Sequence, residues 1–316
     1  MTRVVFLGGL GRSGSTLIER ILGQLPGVCT VGEVVHLWQR GLVQDERCGC
    51  GRAFSACPFW QQVGEAAFGG WRRVEPGVVH DLGGRVDRTR YIPSLAAPRV
   101  APDLARRAAR YASYYAAVYA AVAAVSGATT VVDSSKNASL AYVLRRQPDL
   151  DLRVLHVVRD SRGVAYSWTK HVPRPEAGDA SEADPEMHRY QPWRAALLWN
   201  LQNLSLTMLG RLGTPTERVH YEHLLADPFG TMRRICAFLE LPSGEELGSF
   251  LGSDSVRLAP AHTVSGNPMR FQTGTVPLRR DDAWRRQMRA ADRRLVSALT
   301  LPLLLRYSYL PARRES

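Results

Sequence analysis

The sequence predicts an α/β fold, a P-loop-like three-layer α/β/α arrangement with a central, mainly parallel sheet. Three stretches carry that prediction. Val4–Leu7 is a short apolar run that passes through Gly8, Gly9, Gly11 and Gly14 into a helix with Leu17, Ile18, Ile21, Leu22 and Leu25 on its apolar positions. Leu152–Val158 is almost continuously apolar, the mark of a strand buried on both faces, and runs through Asp160–Gly163 into another helix. Thr129–Val132 is a third strand, followed by the polar turn Asp133-Ser134-Ser135-Lys136-Asn137 and a helix starting near Ala138. Strands alternating with helices give a parallel sheet covered on both sides.

The remaining elements follow in order. Pro26-Gly27 turns the chain into a second strand, Val28–Val31, which ends at Gly32-Glu33, and Val34–Leu42 reads as helical. A cysteine-containing loop precedes a helix over Phe59–Phe68. Residues 69–102 are rich in Gly, Pro and charge, with little periodicity, and read as a variable insertion or lid. Asp103 is placed to cap a long helix through Val125, on which Tyr111, Tyr115 and Tyr119 recur every four residues as a packing face. Residues 171–191 form a second irregular, polar segment. Pro192–Leu212 reads as a helix whose apolar face is Leu197, Leu198, Leu201 and Leu204. A short strand over Arg218–Glu222 and a helix from Asp227-Pro228 to Leu239 come next. Gly266-Asn267-Pro268 is a turn, and 279–294, with mixed charge, reads as a solvated helix. No internal repeat or low-complexity tract divides the chain, so 1–316 is expected as one domain with variable insertions near 69–102 and 171–191.

At 316 residues, 45% hydrophobic and 22% charged, the chain has the balance of a soluble globular protein. Its formal net charge of +12, carried far more by Arg than by Lys, suits an anionic ligand. No nucleic-acid recognition motif accompanies the charge, and the cations fall at strand ends rather than along one helix, so no nucleic-acid partner is expected. Tyr111–Val132 approaches membrane length, but its Ser, Thr and Gly residues resolve it into an Ala-rich helix and a strand. With the first strand at Val4 leaving no room for a signal peptide, a cytoplasmic protein without a membrane span is expected. Cys48, Cys50 and Cys57 cluster, but one Cys-x-Cys and a third cysteine do not make the four paired ligands of a metal site. No metal ligands are therefore assigned. The cysteines read as free thiols in a compact Gly-rich loop, with a disulfide to Cys57 as the alternative.

The glycine turn is where chemistry is expected. Glycines let the backbone approach a ligand, and the N–H groups and dipole of the following helix attract an anion. Gly9-x4-Gly14 fits the first half of the Walker A pattern, but Ser15 stands where the Lys that reaches a triphosphate belongs. Arg12 supplies a cation within the turn instead, so the phosphate ligand is not a triphosphate. An ordinary βα turn and a dinucleotide turn through Gly9, Gly11 and Gly14 are the alternatives. Glu33 lies just past a strand end, where open α/β sheets bind ligands, or is simply a helix N-terminal acid. Lys136 occupies the corresponding place after the third strand, or is an exposed loop lysine. Arg159 ends its strand poised for bidentate phosphate contact, or pairs with Asp160.

Four pieces in this order, Gly11-Arg12-Ser13-Gly14-Ser15-Thr16, Asp133-Ser134-Ser135-Lys136, Val158-Arg159-Asp160-Ser161-Arg162 with Ser167, and Val219-His220-Tyr221-Glu222-His223-Leu224, resemble the sulfotransferases that use PAPS (3′-phosphoadenosine 5′-phosphosulfate). The resemblance is greatest to the branch with bacterial and tyrosylprotein enzymes and spans about residues 4–275. It implies that Gly11, Arg12, Ser13, Gly14, Ser15 and Thr16 hold the 5′-phosphosulfate, that Arg159 and Ser167 hold the 3′-phosphate, and that Tyr221 lies near the adenosine. Lys136 and Arg12 would act at the transferring group, Glu33 would be the base, and the Asn267–Arg270 turn would close over the cofactor. A supporting catalytic position in that late loop is contested by His262 and Ser265.

The implied reaction moves a sulfuryl group from PAPS to a hydroxyl of a small-molecule metabolite, lipid or glycan, releasing PAP (the desulfated product) with no metal required. A P-loop nucleotide kinase or NTPase is the alternative. Against it stand the missing Walker lysine and the lack of a clear strand-end acid for Mg²⁺, for which Asp133 is the one candidate. Neither the acceptor nor the oligomeric state is written in the sequence.

Overall fold

A computed structural model describes residues 1–174 and 186–310. Five strands, β1 (Thr2–Gly8), β2 (Val28–Gly32), β3 (Thr130–Lys136), β4 (Leu150–Val158) and β5 (Thr216–His220), form one sheet in the order β2-β3-β1-β4-β5. Every pairing in it is parallel. The chain winds to one side from β1 and to the other from β4, so the crevice beyond the carboxyl end of β1 is where a ligand belongs.

Alternation along β1 builds the three layers, because successive side chains leave opposite faces of a strand. Val4 and Phe6 pack with Leu37, Trp60, Tyr115 and Leu140 in one core, while Val5 and Leu7 pack with Ile18, Ile21, Val219 and Ile235 in the other. All of these residues are buried. Helix Ser15–Leu22 is buried along its whole length, charged residues included. Arg20, in the last turn of this helix, donates to the carbonyls of Arg270, Ala259 and Gln272 at 2.6–2.8 Å, which fixes the late loop against that turn. Glu19 accepts from the Gly32 N–H and the Ser134 hydroxyl, both at 2.7 Å, and so ties together the ends of β2 and β3. A two-stranded antiparallel sheet, β6 (Ser255–Leu258) and β7 (Gly274–Pro277), closes that side.

Several expected elements are corrected. Residues 34–41 are not an ordinary α-helix but a turn of 3-10 helix followed by one of π-helix. Residues 69–102 are not irregular. They hold helices Pro76–Val86 and Ile92–Ala96, which bury Val79, Leu82, Val86, Ile92 and Leu95 in the first core. Gly83 and Gly84 had masked that periodicity. The long helix runs Pro102–Ser126, with Asp103 in its first turn paired to Arg106 and Arg107 rather than capping it. Helix Pro192–Arg211 turns Ala195, Ala196, Trp199, Leu206 and Leu209 inward, whereas Leu197, Leu201 and Leu204 are exposed. Both sides of that helix are leucine-rich, so its buried stripe differs from the one expected. The 279–294 stretch is two helices, Trp284–Gln287 and the start of Ala290–Arg306, with Trp284 buried. Of the segment 171–191, residues 175–185 lie outside the described residues. Among the described residues, no helix is long and apolar enough to cross a membrane.

Candidate active site

The turn after β1 needs glycine at two of its positions. Gly9 has φ 151° and sits where a Cβ would meet the Val157 carbonyl oxygen at 2.5 Å. Gly14 has φ 93°, and a Cβ there would meet the Tyr221 ring at 2.2 Å. Arg12 itself adopts φ 73°, a left-handed conformation that costs a non-glycine residue roughly 1 kcal/mol or more. Trp168 fastens the turn from outside, its Nε1 donating to the Gly11 carbonyl at 2.9 Å.

The turn opens into a cleft of about 660 Å³, a size suited to a nucleotide-sized ligand. Gly11, Arg12, Gly14, Ser15, Thr16, Glu33, Lys136, Arg159, Ser167, Tyr221 and Asn267 all line it, so most of the sequence-predicted residues converge on one space. Among the described residues, six Arg or Lys side chains line the cleft against two Glu. Burial presses the Arg12 guanidinium below its ordinary value, although the charge of Glu33 works the other way.

At one end of the cleft stand Glu33 and Lys136. The Lys136 ammonium donates to Glu33 Oε1 and, at 3.1 Å, to the Ser134 carbonyl. His36 Nε2 lies 3.4 Å from the other carboxylate oxygen. Burial raises the Glu33 carboxyl, but Lys136 and His36 outweigh it and hold the group well below the ordinary carboxylate range. Glu33 is thereby favoured in its ionised form.

Also on the cleft, Arg159 stacks its guanidinium 4.9 Å above the Tyr221 ring and donates to the Arg12 carbonyl at 3.1 Å. It does not pair with Asp160, which caps its own helix and binds Arg162 at 2.7 Å. Its partner is Asp281, 3.4 Å away, which also meets Lys170 at 3.2 Å.

Two predicted contacts are not in the cleft lining. Ser13 is buried, with its hydroxyl lacking a hydrogen-bond partner. Arg270 is 1% exposed and donates to the carbonyls of Thr263 and Arg47, both at 2.6 Å, so it shapes the late loop from behind. Neither contender for the supporting catalytic position reaches the cleft. Ser265 accepts from Arg40 at 2.6 Å, and His262 turns to the cysteine loop, its Nδ1 3.3 Å from Cys57 Sγ. The loop thus has a fourth partner that local spacing did not reveal. Asp133 is buried and already saturated by Tyr119 and by the N–H and hydroxyl of Ser135.

Sequence reasoning missed Trp168, Met187, His188 and Asp281. The first three line the cleft, and Asp281 pairs with one of its cations. Only the Arg-rich context of 279–282 offered any signal.

Residues 4–245 match the sulfotransferase family. The chain belongs to that family. As a sulfotransferase it is an enzyme of sulfuryl transfer. A solved sulfotransferase domain of the Synechococcus PCC 7002 olefin synthase shares its fold, with a TM-score of 0.52 and 20% identity over 98% of this chain and 96% of that one. The sulfotransferase domain from the curacin biosynthetic pathway aligns over 95% and 98% of the two chains at 14% identity and a TM-score of 0.48. No curated protein matches the sequence.

Proposed function

We propose that this sulfotransferase takes its sulfuryl group from PAPS and gives it to a hydroxyl of a small-molecule metabolite, lipid or glycan. The observation that carries the donor assignment is the pair of anion-ready groups on one cleft. Arg12 Nε and the Ser15 hydroxyl are buried in the glycine turn without a hydrogen-bond partner, and Arg159 over Tyr221 offers a second cation on the same cleft. A buried polar group without a partner costs about 1–3 kcal/mol, and an anion in the turn relieves it. These residues fit a ligand with two anionic groups, one at the glycine turn and one at Arg159, and an aromatic base to pack near Tyr221.

PAPS bound there would supply a sulfuryl group on its 5′-phosphate. Sulfuryl transfer is an in-line displacement at a highly charged centre, so stabilisation comes from donors at the equatorial and leaving oxygens. Arg12, Lys136 and the turn amides provide these donors, and no metal is needed at that centre. Glu33 accepts the acceptor hydroxyl's proton. The pairing of Glu33 with Lys136 keeps base and cation at one place, and release of Lys136 from Glu33 leaves the carboxylate ready for that proton. Residues 186–188 line the cleft and would take part in selecting the acceptor, whereas no residue of 69–102 lines it.

The test is a screen of hydroxylated metabolites, lipids and glycans with PAPS, read by mass spectrometry. PAP release together with one acceptor gaining a sulfuryl group supports the reading. Transfer from a different sulfate donor, with PAPS inert, would overturn it.

A further inference from the structure

Outside the cleft, Cys48, Cys50, Cys57 and His262 bring one ligand atom each within 4.8 Å of one another. The Cys57–Cys48 and Cys50–Cys57 sulfur separations are 3.7 and 3.8 Å, and His262 Nδ1 lies 3.3 Å from Cys57 Sγ and 3.8 Å from Cys48 Sγ. A tetrahedral zinc with Zn–S of about 2.3 Å and Zn–N of about 2.0 Å requires sulfur–sulfur edges of ~3.8 Å and sulfur–nitrogen edges of ~3.5 Å. The four atoms thus stand near the corners such an ion needs. We propose that these residues form a structural Cys3His zinc site that staples the cysteine loop to the segment leading into the wall of the cleft.

The surroundings are those of a built site. Cys48 to Arg52 makes a tight knuckle: the Cys48 N–H reaches the Arg52 carbonyl and the Gly51 N–H the Cys48 carbonyl, both at 2.8 Å, with Gly51 at φ 87°. Cys57 precedes the N-terminus of helix Pro58–Phe68, whose dipole favours a thiolate. The His262 ring is set by stacking on Phe59, centroids 4.8 Å apart and 13° from parallel. Three thiolates, a neutral imidazole and Zn²⁺ leave one negative charge, beside Arg52, which lines the same small pocket as His262. Thiolate-rich tetrahedral sets select zinc over hard cations. On binding, each thiol loses its proton to solvent as its sulfur–zinc bond forms, and no oxidation occurs.

What the staple holds is visible in the backbone. Gly49 donates to the Thr263 carbonyl at 2.9 Å, and a Cβ at Gly49 would meet the Thr263 hydroxyl at 2.4 Å. One residue on, Val264 donates to the Val31 carbonyl and accepts from the Glu33 N–H, each at 2.8 Å. Gly266 and Asn267 then line the cleft. The ligands come from two chain segments 205 residues apart, and the ion would close that long loop next to Glu33.

The experiment is metal analysis of the intact protein purified under reducing conditions, followed by replacement with Co²⁺. About one zinc per chain by inductively coupled plasma mass spectrometry is expected. Replacement should give the intense visible bands of tetrahedral Co²⁺ and a thiolate-to-cobalt charge-transfer band. His262→Cys should keep the metal and strengthen the charge-transfer band, because a fourth thiolate replaces the imidazole. Cys57→Ser should lower metal retention at least ~10-fold in a chelator competition. If Cys57→Ser does not fold, the wild-type cobalt spectrum and the His262→Cys shift still decide. Well-folded reduced protein that carries no zinc and gives only the weak spectrum of six-coordinate Co²⁺ would overturn the proposal. So would iron as the bound metal, or a disulfide among the three cysteines in the protein as isolated.

Discussion

Asp281 holds its carboxylate 3.4 Å from the guanidinium of Arg159, the cation proposed to grip the 3′-phosphate of the nucleotide. The pair places an anion where a ligand's anion is expected, and Lys170 shares it at 3.2 Å. Burial raises the Asp281 carboxyl, but Lys170 and Arg159 outweigh it and hold the group ionised.

That relationship gives a first prediction. Asp281→Asn removes the competing charge and should tighten PAP binding by up to ~5-fold, since a half-exposed ion pair contributes ~1 kcal/mol or less. Isothermal titration at low and high salt reads it. Weaker binding would mean that Asp281 positions Arg159 rather than competing for it.

Arg159→Ala should separate PAP from adenosine 5′-phosphate. A charge-assisted contact contributes roughly 1.5–3 kcal/mol, so PAP affinity should fall ~10- to 100-fold while the nucleotide lacking a 3′-phosphate barely changes. Equal losses for both would make Arg159 structural, through its bond to the Arg12 carbonyl.

Glu33→Gln keeps the shape of the side chain and removes the proton acceptor. kcat should fall by at least ~10²-fold with PAP affinity little changed, and His36→Gln should do much less. Because Lys136 and His36 hold Glu33 well below the ordinary carboxylate range, Glu33 should put no acid limb on kcat/KM between about pH 5 and 8. A wild-type limb in that window that vanishes in Glu33→Gln would contradict this assignment. If instead Glu33→Gln keeps normal turnover and His36→Gln loses it, the base is His36.

Glu19 predicts a pH dependence of stability. Burial, only partly countered by the Ser134 hydroxyl, pushes its carboxyl from 4.5 up to about 7. A carboxyl raised in the folded state favours folding most below about pH 4.5, and that contribution is lost as pH rises through about 7. The shift corresponds to on the order of 3 kcal/mol. Glu19→Gln should remove this component, so the gap in unfolding free energy between wild type and variant should move in the variant's favour from pH 4.5 to 7.5. Denaturant unfolding at several pH values measures it, and a gap constant with pH would contradict the burial argument.

The glycine turn, Lys136 and Arg159 were legible because each sits at the end of a strand whose apolar run is visible locally. The sheet was legible for the same reason. What the sequence hid comes from distant pairing. Trp168 reaches Gly11 across 157 residues, Arg159 reaches Asp281 across 122, and His262 reaches Cys57 across 205. No local period encodes such meetings. Arg270 misled for a related reason. As a cation in a turn it suggested an anion ligand, but two backbone carbonyls brought in by the fold satisfy it. The chain's two lysines, Lys136 and Lys170, meet two carboxylates, Glu33 and Asp281, which composition alone could not place.

The most direct test of the donor assignment is the melting temperature of the protein with PAP and with ATP, each at 100 times the dissociation constant measured for PAP. PAP should add ~2.7 kcal/mol of stability and raise the melting temperature by several degrees, and ATP should add far less, because Ser15 stands where a triphosphate needs lysine. Equal shifts from the two nucleotides, or a larger one from ATP with Mg²⁺, would contradict the account and favour a nucleotide kinase.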